Sequence, residues 1–560
     1  MPHPMFERHQ GLLQQAVAAI GTRGFWSAYP ESYRAYGDNA FESGREAFEA
    51  YRGAQFYLDQ PGVSGRCGEE HSPYGLPLSI TYPRCSDDSL IAAAKVAMTA
   101  WAKATADTRA GVLIEALHRL NAASPEIAHA AMHTTGQAFT MAFQMAGPHA
   151  QERGLEAIAN AWRVMTQLPP SVRWERSHGT AANANPPTVL EKKFSIVPRG
   201  VALVIGCATL PNWSAYPGLF ASLVTGNGVI VKPHPNAVLP LAITVAAIRQ
   251  TLKEAGFDPN LVSLLVDDAN APVVRELALK PEVRIIDYTG HSEFGEWLET
   301  TARQAVVFTQ KSSVNCVVVE STDDYKGMLR NLAFAVSLSS GQLPTRTQTI
   351  LVSNEGVKTP EGLVPPEQLG RDLSFAVGRL LDDSARAAEV LGAIQFPSTL
   401  AALDTIQDEA STNGNILRPS IPLQHPQWPQ AKLRTPLLLK ASMKDGDIFG
   451  AEHVGPISYL VQTSTTSASF AITERIARDS GSLGLSLYSV NPVIHALAED
   501  VAIRSGVMLS VNLTGALLFD PMAGFSDFHG TGANRAANSS QTDTHFVAAR
   551  FTIGEVRIQR

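Results

Sequence analysis

Between Val201 and Phe308 the chain alternates short apolar runs with longer amphipathic ones, and this alternation constrains the fold more than any other feature. The run Val-Ala-Leu-Val-Ile from Val201 reads as a strand, Tyr216–Val224 as an apolar helix, and Val229-Ile230-Val231, after Gly226, as the next strand. A helix is predicted from about Val238 to Ala255, stopped by Gly256, because glycine readily takes the left-handed conformation that ends helices. The order continues with a predicted strand at Val262–Val266, helix at Ala271–Leu279, strand at Val283–Tyr288, turn at Thr289-Gly290, helix at Glu293–Arg303 and strand at Ala305–Phe308. Strands of nearly unbroken Val, Ile and Leu, each followed by a helix, predict an α/β protein with a parallel, doubly wound sheet covered on both faces.

The flanks divide by composition. Residues 1–170 read mainly as helix: Ser86-Asp87-Asp88 makes an N-cap and acidic first turn before Leu90–Ala104, and Gly154–Leu168 stops at Pro169-Pro170. Residues 171–200 begin polar and punctuated, with Gly179, Asn183 and a proline pair, and run into the extended Val189–Val197, which predicts a projecting arm. A second α/β segment is expected over 311–512, with a helix at Asp324–Ser339 delivering the chain to the loop S-S-G-Q-L-P-T-R-T-Q at Ser339–Gln348. In the last piece, 513–560, Phe546–Phe551 alternates in a way that suits an edge strand pairing outside its own domain, so a homodimer or dimer-based oligomer is expected.

The net charge of −7 over 560 residues, with no Lys/Arg run, argues against nucleic acid as a partner. The longest apolar runs, such as Gly200–Cys207, are strand-sized, and the N-terminus has no charged-then-apolar leader, so no membrane partner and a cytoplasmic location are expected. Cys67, Cys85, Cys207 and Cys316 show no C-x-x-C pairing and no nearby histidine at ligand spacing, so isolated reduced thiols are expected and no metal site. A small metabolite remains as the ligand class.

Two segments carry chemistry on their own residues. The turn Thr289–Gly295, between strand and helix, puts backbone N–H groups and a positive helix end where a pyrophosphate could sit, with Gly290, His291 and Gly295 as its markers. Arg346, in the loop after the Asp324–Ser339 helix, is a candidate clamp for a carboxylate or phosphate, with a solvent-facing arginine as the alternative. His453 and His529 are acid/base candidates, the reading as loop structure being preferred for His529.

Seven motifs occur in a fixed order: V-I-G-C-A-T-L-P-N-W-S-A-Y-P-G-L-F (204–220), V-I-V-K-P-H-P (229–235), D-Y-T-G-H-S-E-F-G (287–295), F-T-Q-K-S-S-V-N-C-V-V-V (308–319), S-S-G-Q-L-P-T (339–345), E-H-V-G-P-I-S (452–458) and S-D-F-H-G-T-G-A-N (526–534). Together they resemble the aldehyde dehydrogenase superfamily over roughly residues 85 to 555, and within it the phenylacetate-degradation PaaN group. The resemblance implies a Rossmann-type nucleotide-binding domain from 1–170 and 201–310, an α/β catalytic domain at 311–512, and a small β oligomerisation flap from the 171–200 arm and the 513–560 return. It implies NAD or NADP as cofactor, with Lys232 and Glu452 reaching the two riboses. Trp213 and Tyr216 are placed by it on the substrate tunnel, core packing being the alternative.

The resemblance also implies that all three groups of the reaction centre are replaced. The family's attacking cysteine falls at Pro344, its general-base glutamate at Gln310, and its oxyanion-holding asparagine at Ser214. Proline offers neither nucleophile nor N–H, a glutamine amide accepts no proton at neutral pH, and a serine hydroxyl reaches less far than an amide. Cys207 and Cys316 are expected to be structural rather than substitute nucleophiles. Three functions stay open: an enzyme acting on a small carbonyl or CoA-linked acyl compound by a noncovalent or non-redox route, a catalytically silent binding subunit, or NAD(P)-dependent aldehyde oxidation through a substitute nucleophile.

Overall fold

The computed structural model describes residues 2–178, 185–515 and 524–560. Five parallel strands form one sheet in the order Val262–Leu264, Gly228–Lys232, Val201–Ile205, Val283–Thr289, Val306–Gln310. Val201–Ile205 and Gly228–Lys232 are buried at every residue, which is why both read as unbroken apolar runs rather than alternating ones. The first three strands step to one side of the sheet, and the chain then crosses to the other side of Val201–Ile205. Strand order therefore reverses between Val201–Ile205 and Val283–Thr289, and loops leaving such a pair diverge to open a crevice at the carboxyl end of the sheet. Those loops start at Gly206-Cys207 and Gly290-His291.

A second sheet has seven strands, Ile416–Arg418, Leu437–Ser442, Ile457–Thr463, Thr347–Ser353, Asn315–Val319, Gly484–Tyr488 and Met508–Val511, parallel except for the first. Helix Tyr325–Ser337, capped by the Asp324 carboxylate on the Gly327 N–H at 2.8 Å, feeds the loop that enters Thr347–Ser353. On the N-terminal side, Ser86 caps helix Asp87–Trp101 as expected. The helix expected at Ala271–Leu279 is confined to Val274–Ala278, because the Asp267 carboxylate takes the Val273 N–H and delays helix entry.

The arm is an antiparallel hairpin of Ser171–His178 and Asn185–Pro198, with the Gly179 and Asn183 turn outside the described residues. Its outer partner is Phe551–Gln559, which pairs with Asn185–Pro198 of the same chain over nine residues. The expected strand at Phe546–Phe551 is corrected: Thr544–Ala548 is a helical turn, capped by Asp543 on the Phe546 N–H, and the strand starts only at Phe551. Phe546 and Val547 are adjacent and both 1% exposed, which a half-buried strand cannot arrange but one helical turn can. No helix among the described residues is long and apolar enough to cross a membrane.

Candidate active site

The crevice at the reversal of strand order opens into a cavity of about 510 Å³ between the two sheets. From the five-stranded sheet it receives Cys207, Trp213, Ser214, Gly290, His291 and Gln310. From the seven-stranded side come Pro344, Arg346 and Glu452. Eight of the sequence-predicted site residues thus share one wall-to-wall space, and its size suits a small ligand with one end of a cofactor.

The floor is the loop into Thr347–Ser353. Ser339, Ser340 and Gly341 have φ of 49°, 51° and 64°, three left-handed residues in a row, which costs roughly 1–2 kcal/mol for each serine. At Gly341 no side chain fits, since a Cβ would lie 2.2 Å from the Gly455 carbonyl oxygen. Further along the loop, Ser313 Oγ and Asn315 Nδ2 donate to the Pro344 carbonyl at 2.6 and 2.9 Å, and Asn315 Nδ2 donates to the Arg346 carbonyl at 3.1 Å. Pro344, which lines the cavity, is therefore pinned through its carbonyl. Backbone held in sparse conformations by its surroundings is a mark of functional loops.

One wall is a stack. Arg153, from the buried helix Pro148–Thr166, lays its guanidinium 3.6 Å from the centre of the Trp213 ring and donates to the Trp213 carbonyl at 3.0 Å. The His529 ring meets Trp213 edge-on at 4.2 Å, and its Nε2 accepts from the Gln310 amide at 2.8 Å. Burial, reinforced by the Arg153 charge, pushes the His529 pKa well below its usual value, so the ring is neutral and can accept. His529 lies in a loop, as the preferred reading has it, and that loop packs against the predicted site residues Gln310 and Trp213. The Gln310 Oε1 and Trp213 Nε1 atoms, on two residues that line the cavity, are buried and without a hydrogen-bond partner among the described residues.

Arg346 is also placed here, and not in solvent. Its side chain is 4% exposed, Nη2 donates to Gln348 Oε1 at 2.6 Å, and Nη1 stands 3.7 Å from Glu452 Oε1. Desolvation lowers its pKa while Glu452 opposes the shift. Cys207 departs from expectation as well: it is partly exposed at the cavity, accepts the Leu210 N–H at 3.3 Å and lies 3.4 Å from Ser214 Oγ. Cys316 is structural as expected, 1% exposed, with burial raising its thiol to about 12.

The aldehyde dehydrogenase family model matches residues 84–475. The chain is a member of that family. Over its whole length it is 46% identical to an NAD-dependent aldehyde dehydrogenase from Burkholderia multivorans, covering all of that chain with a TM-score of 0.97. A putative methylmalonate-semialdehyde dehydrogenase from Sinorhizobium meliloti 1021, solved with NAD, shares the fold at 15% identity, with a TM-score of 0.69, 89% of this chain and 95% of that one. A putative aldehyde dehydrogenase family 7 member A1 homolog from Caenorhabditis elegans is 22% identical over 301 residues, 52% of this chain. That match spans 53% of the relative's length, so the chain covers about half of this curated relative.

Against the aldehyde dehydrogenase pattern, some expected cofactor residues are not gathered at the cavity. Lys232 is 5% exposed, and its ammonium is paired with Asp267 at 2.5 Å and with the Pro233 carbonyl at 3.0 Å. Gly295 lies inside helix Ser292–Thr301, where a Cβ would meet the Lys311 side chain at 2.7 Å; its small size serves that packing. The Gly290 N–H, expected for a phosphate, already donates to the Gln310 carbonyl at 3.0 Å, so an anion there would rely on the first turn of the following helix. Tyr216 is fully buried and bonded to Thr244 Oγ1 at 2.8 Å, so it belongs to the core and not to a tunnel. His453 turns away, its Nε2 on the Ile448 carbonyl at 2.8 Å. Asp267 and Arg153 went unnoticed in the sequence; a charged residue inside an otherwise buried helix, as at Arg153, is the signal that could have found the second.

Proposed function

We propose that this aldehyde dehydrogenase family member is an enzyme that binds NAD or NADP with a small carbonyl or acyl compound and makes no attack from position 344. One observation carries the reading: Ser214, Gln310 and Pro344, the three positions where the family resemblance expects its reactive groups, face the same cavity as Glu452. None of the three supplies a thiol or a carboxylate base, and the Ser214 hydroxyl donates to the Pro211 carbonyl at 3.3 Å with no base beside it, among the described residues, to activate it. Support for the dinucleotide comes from the 46% identical NAD-dependent relative and from Trp213 Nε1 and Gln310 Oε1, buried polar atoms that a bound amide would satisfy. The dinucleotide, when bound, would supply a hydride acceptor, which a free aldehyde does not reduce without a nucleophile added to its carbonyl. Gln310, held by His529, presents its Oε1 as an acceptor that orients water or a hydrated carbonyl, while Pro344 and Trp213 exclude bulk water. Likeness to the PaaN group supports an aromatic-acid or CoA-linked compound and a cytoplasmic setting. The exposed Ile553 and Val556 on the arm sheet support a homodimer.

A second reading, oxidation through a substitute thiol, is favoured by Cys207 alone, since it lines the same cavity. The test is calorimetric titration with NAD and NADP, then an aldehyde panel followed by the absorbance of reduced nicotinamide. Dinucleotide binding without reduced nicotinamide is the expected result. Failure of both dinucleotides to bind overturns the proposal, and reduced nicotinamide that vanishes in Cys207→Ser selects the second reading. Binding with no change in any carbonyl compound leaves a silent subunit.

A further inference from the structure

The cavity contains one charge that its surroundings do not balance. Arg346 keeps only a single side-chain hydrogen bond among the described residues, to Gln348 Oε1, a neutral acceptor. Its Nε is buried and without a hydrogen-bond partner among the described residues. The nearest carboxylate, Glu452, is 3.7 Å from Nη1, too far for a hydrogen bond, and with its side chain 25% exposed it is drawn partly toward water. A guanidinium buried to this degree costs several kcal/mol unless its N–H groups are met by an anion. The groups around it are fixed: Asn315 donates to the Arg346 carbonyl at 3.1 Å, and Gln348 donates to the Phe449 and Ala451 carbonyls at 3.1 and 2.6 Å.

We propose that Arg346 is the carboxylate-binding group of this cavity, so that the carbonyl compound taken by the site carries a carboxylate of its own. This rests on the reading of the cavity given above and names its substrate class. The guanidinium is planar, and a carboxylate is the partner that meets its fork with two parallel bonds. Glu452 then acts as the resident competitor: in the free protein it half-neutralises Arg346, and a ligand carboxylate displaces it.

The full-length protein is titrated calorimetrically with glutarate, an unreactive dicarboxylate, and separately with NAD and NADP. Wild type binds glutarate, and Arg346→Gln weakens that binding by about thirtyfold or more, since a buried charge partner is lost. Arg346→Lys, which keeps the charge without the fork, weakens it less. Glu452→Gln tightens glutarate several-fold by removing the competitor, an effect that a purely structural ion pair would not give. Dinucleotide affinity changes less than about threefold in Arg346→Gln, which separates a substrate carboxylate from a dinucleotide phosphate as the anion.

The proposal is overturned by wild type failing to bind glutarate, by Arg346→Gln binding it normally, or by Arg346→Gln losing the dinucleotide instead. Should Arg346→Gln not fold, Arg346→Lys and Glu452→Gln decide: unchanged glutarate affinity in both overturns it. Arg346-dependent glutarate binding by a protein that takes neither dinucleotide leaves the carboxylate site standing and removes only the dinucleotide reading.

Discussion

Substituting Arg550 by methionine is predicted to destabilise the protein by about 3–5 kcal/mol, the cost of breaking a buried ion pair. Arg550 is fully buried and meets Asp287, 6% exposed, with two prongs: Nη1 to Oδ2 at 2.8 Å and Nη2 to Oδ1 at 2.5 Å. Ser222 Oγ takes a further bond at 2.7 Å, and the guanidinium lies against the rings of Phe308 and Phe546 at 4.7 and 4.1 Å. Methionine keeps the ring contacts but leaves the Asp287 carboxylate without its donors. Water has little room to replace them, since a Cβ at Gly218 would come within 2.3 Å of that carboxylate. Asp287 sits on the strand Val283–Thr289, three residues before the turn residue Gly290, so the pair also ties the C-terminal return to the turn that forms the cavity. Urea unfolding followed by tryptophan fluorescence measures the loss. Arg550→Met with Asp287→Val, which removes both charges, should recover most of it. A cost below about 1 kcal/mol for the single variant, or a double variant as unstable as the single, would refute the assignment of this pair as a stabilising anchor.

Among the four cysteines, Cys207 should be the first alkylated by iodoacetamide under native conditions, its sulfur displacing iodide, because Cys67, Cys85 and Cys316 are buried; peptide mass spectrometry showing any of those three modified first contradicts the geometry. Glu152 has its pKa pushed up to about 7 by burial, despite hydrogen bonds from Ser27 Oγ and the Ala28 N–H at 2.5 and 3.0 Å. Between its ordinary value of 4.5 and about 7 the unfolded chain holds fewer protons at this group than the folded one, so stability falls as pH rises through that window, by up to about 3 kcal/mol. Urea midpoints of Glu152→Gln should therefore gain on wild type from pH 4.5 to 7, and a constant difference would sink the argument. Gln310→Glu should raise the His529 pKa by placing a carboxylate where the amide now meets Nε2 at 2.8 Å. An imidazole still neutral at about pH 5 by NMR would show that the two are not in contact.

Much of the scaffold was legible because burial on both faces leaves a plain trace. Val201–Ile205 and Val229-Ile230-Val231 have no polar residue to confuse their period, and the caps at Ser86 and Asp324 mark helix starts locally. Phe546–Phe551 misled because its apolar pattern fits a strand, whereas Asp543, just before it, decides for a helical turn. The site was legible as a set of positions but not as a set of contacts. Gln310 and His529 are 219 residues apart, and Arg153 and Trp213 lie on different helices, so nothing local in the sequence pairs them. Cys207 closes an apolar run and so resembled core; only the divergence of loops at the strand-order reversal turns it to the cavity. Lys232 was read by motif, while its partner Asp267 comes from the loop after the neighbouring strand Val262–Leu264.

The central claim is that a dehydrogenase-shaped cavity here carries no reactive group at position 344. Its most direct test compares wild type with Pro344→Cys/Gln310→Glu/Ser214→Asn for the formation of reduced nicotinamide from an aldehyde panel. The account predicts that the triple variant gains aldehyde oxidation at least about a hundredfold over wild type, the lower end of what one positioned acid/base group contributes. Equal rates in the two proteins would contradict it.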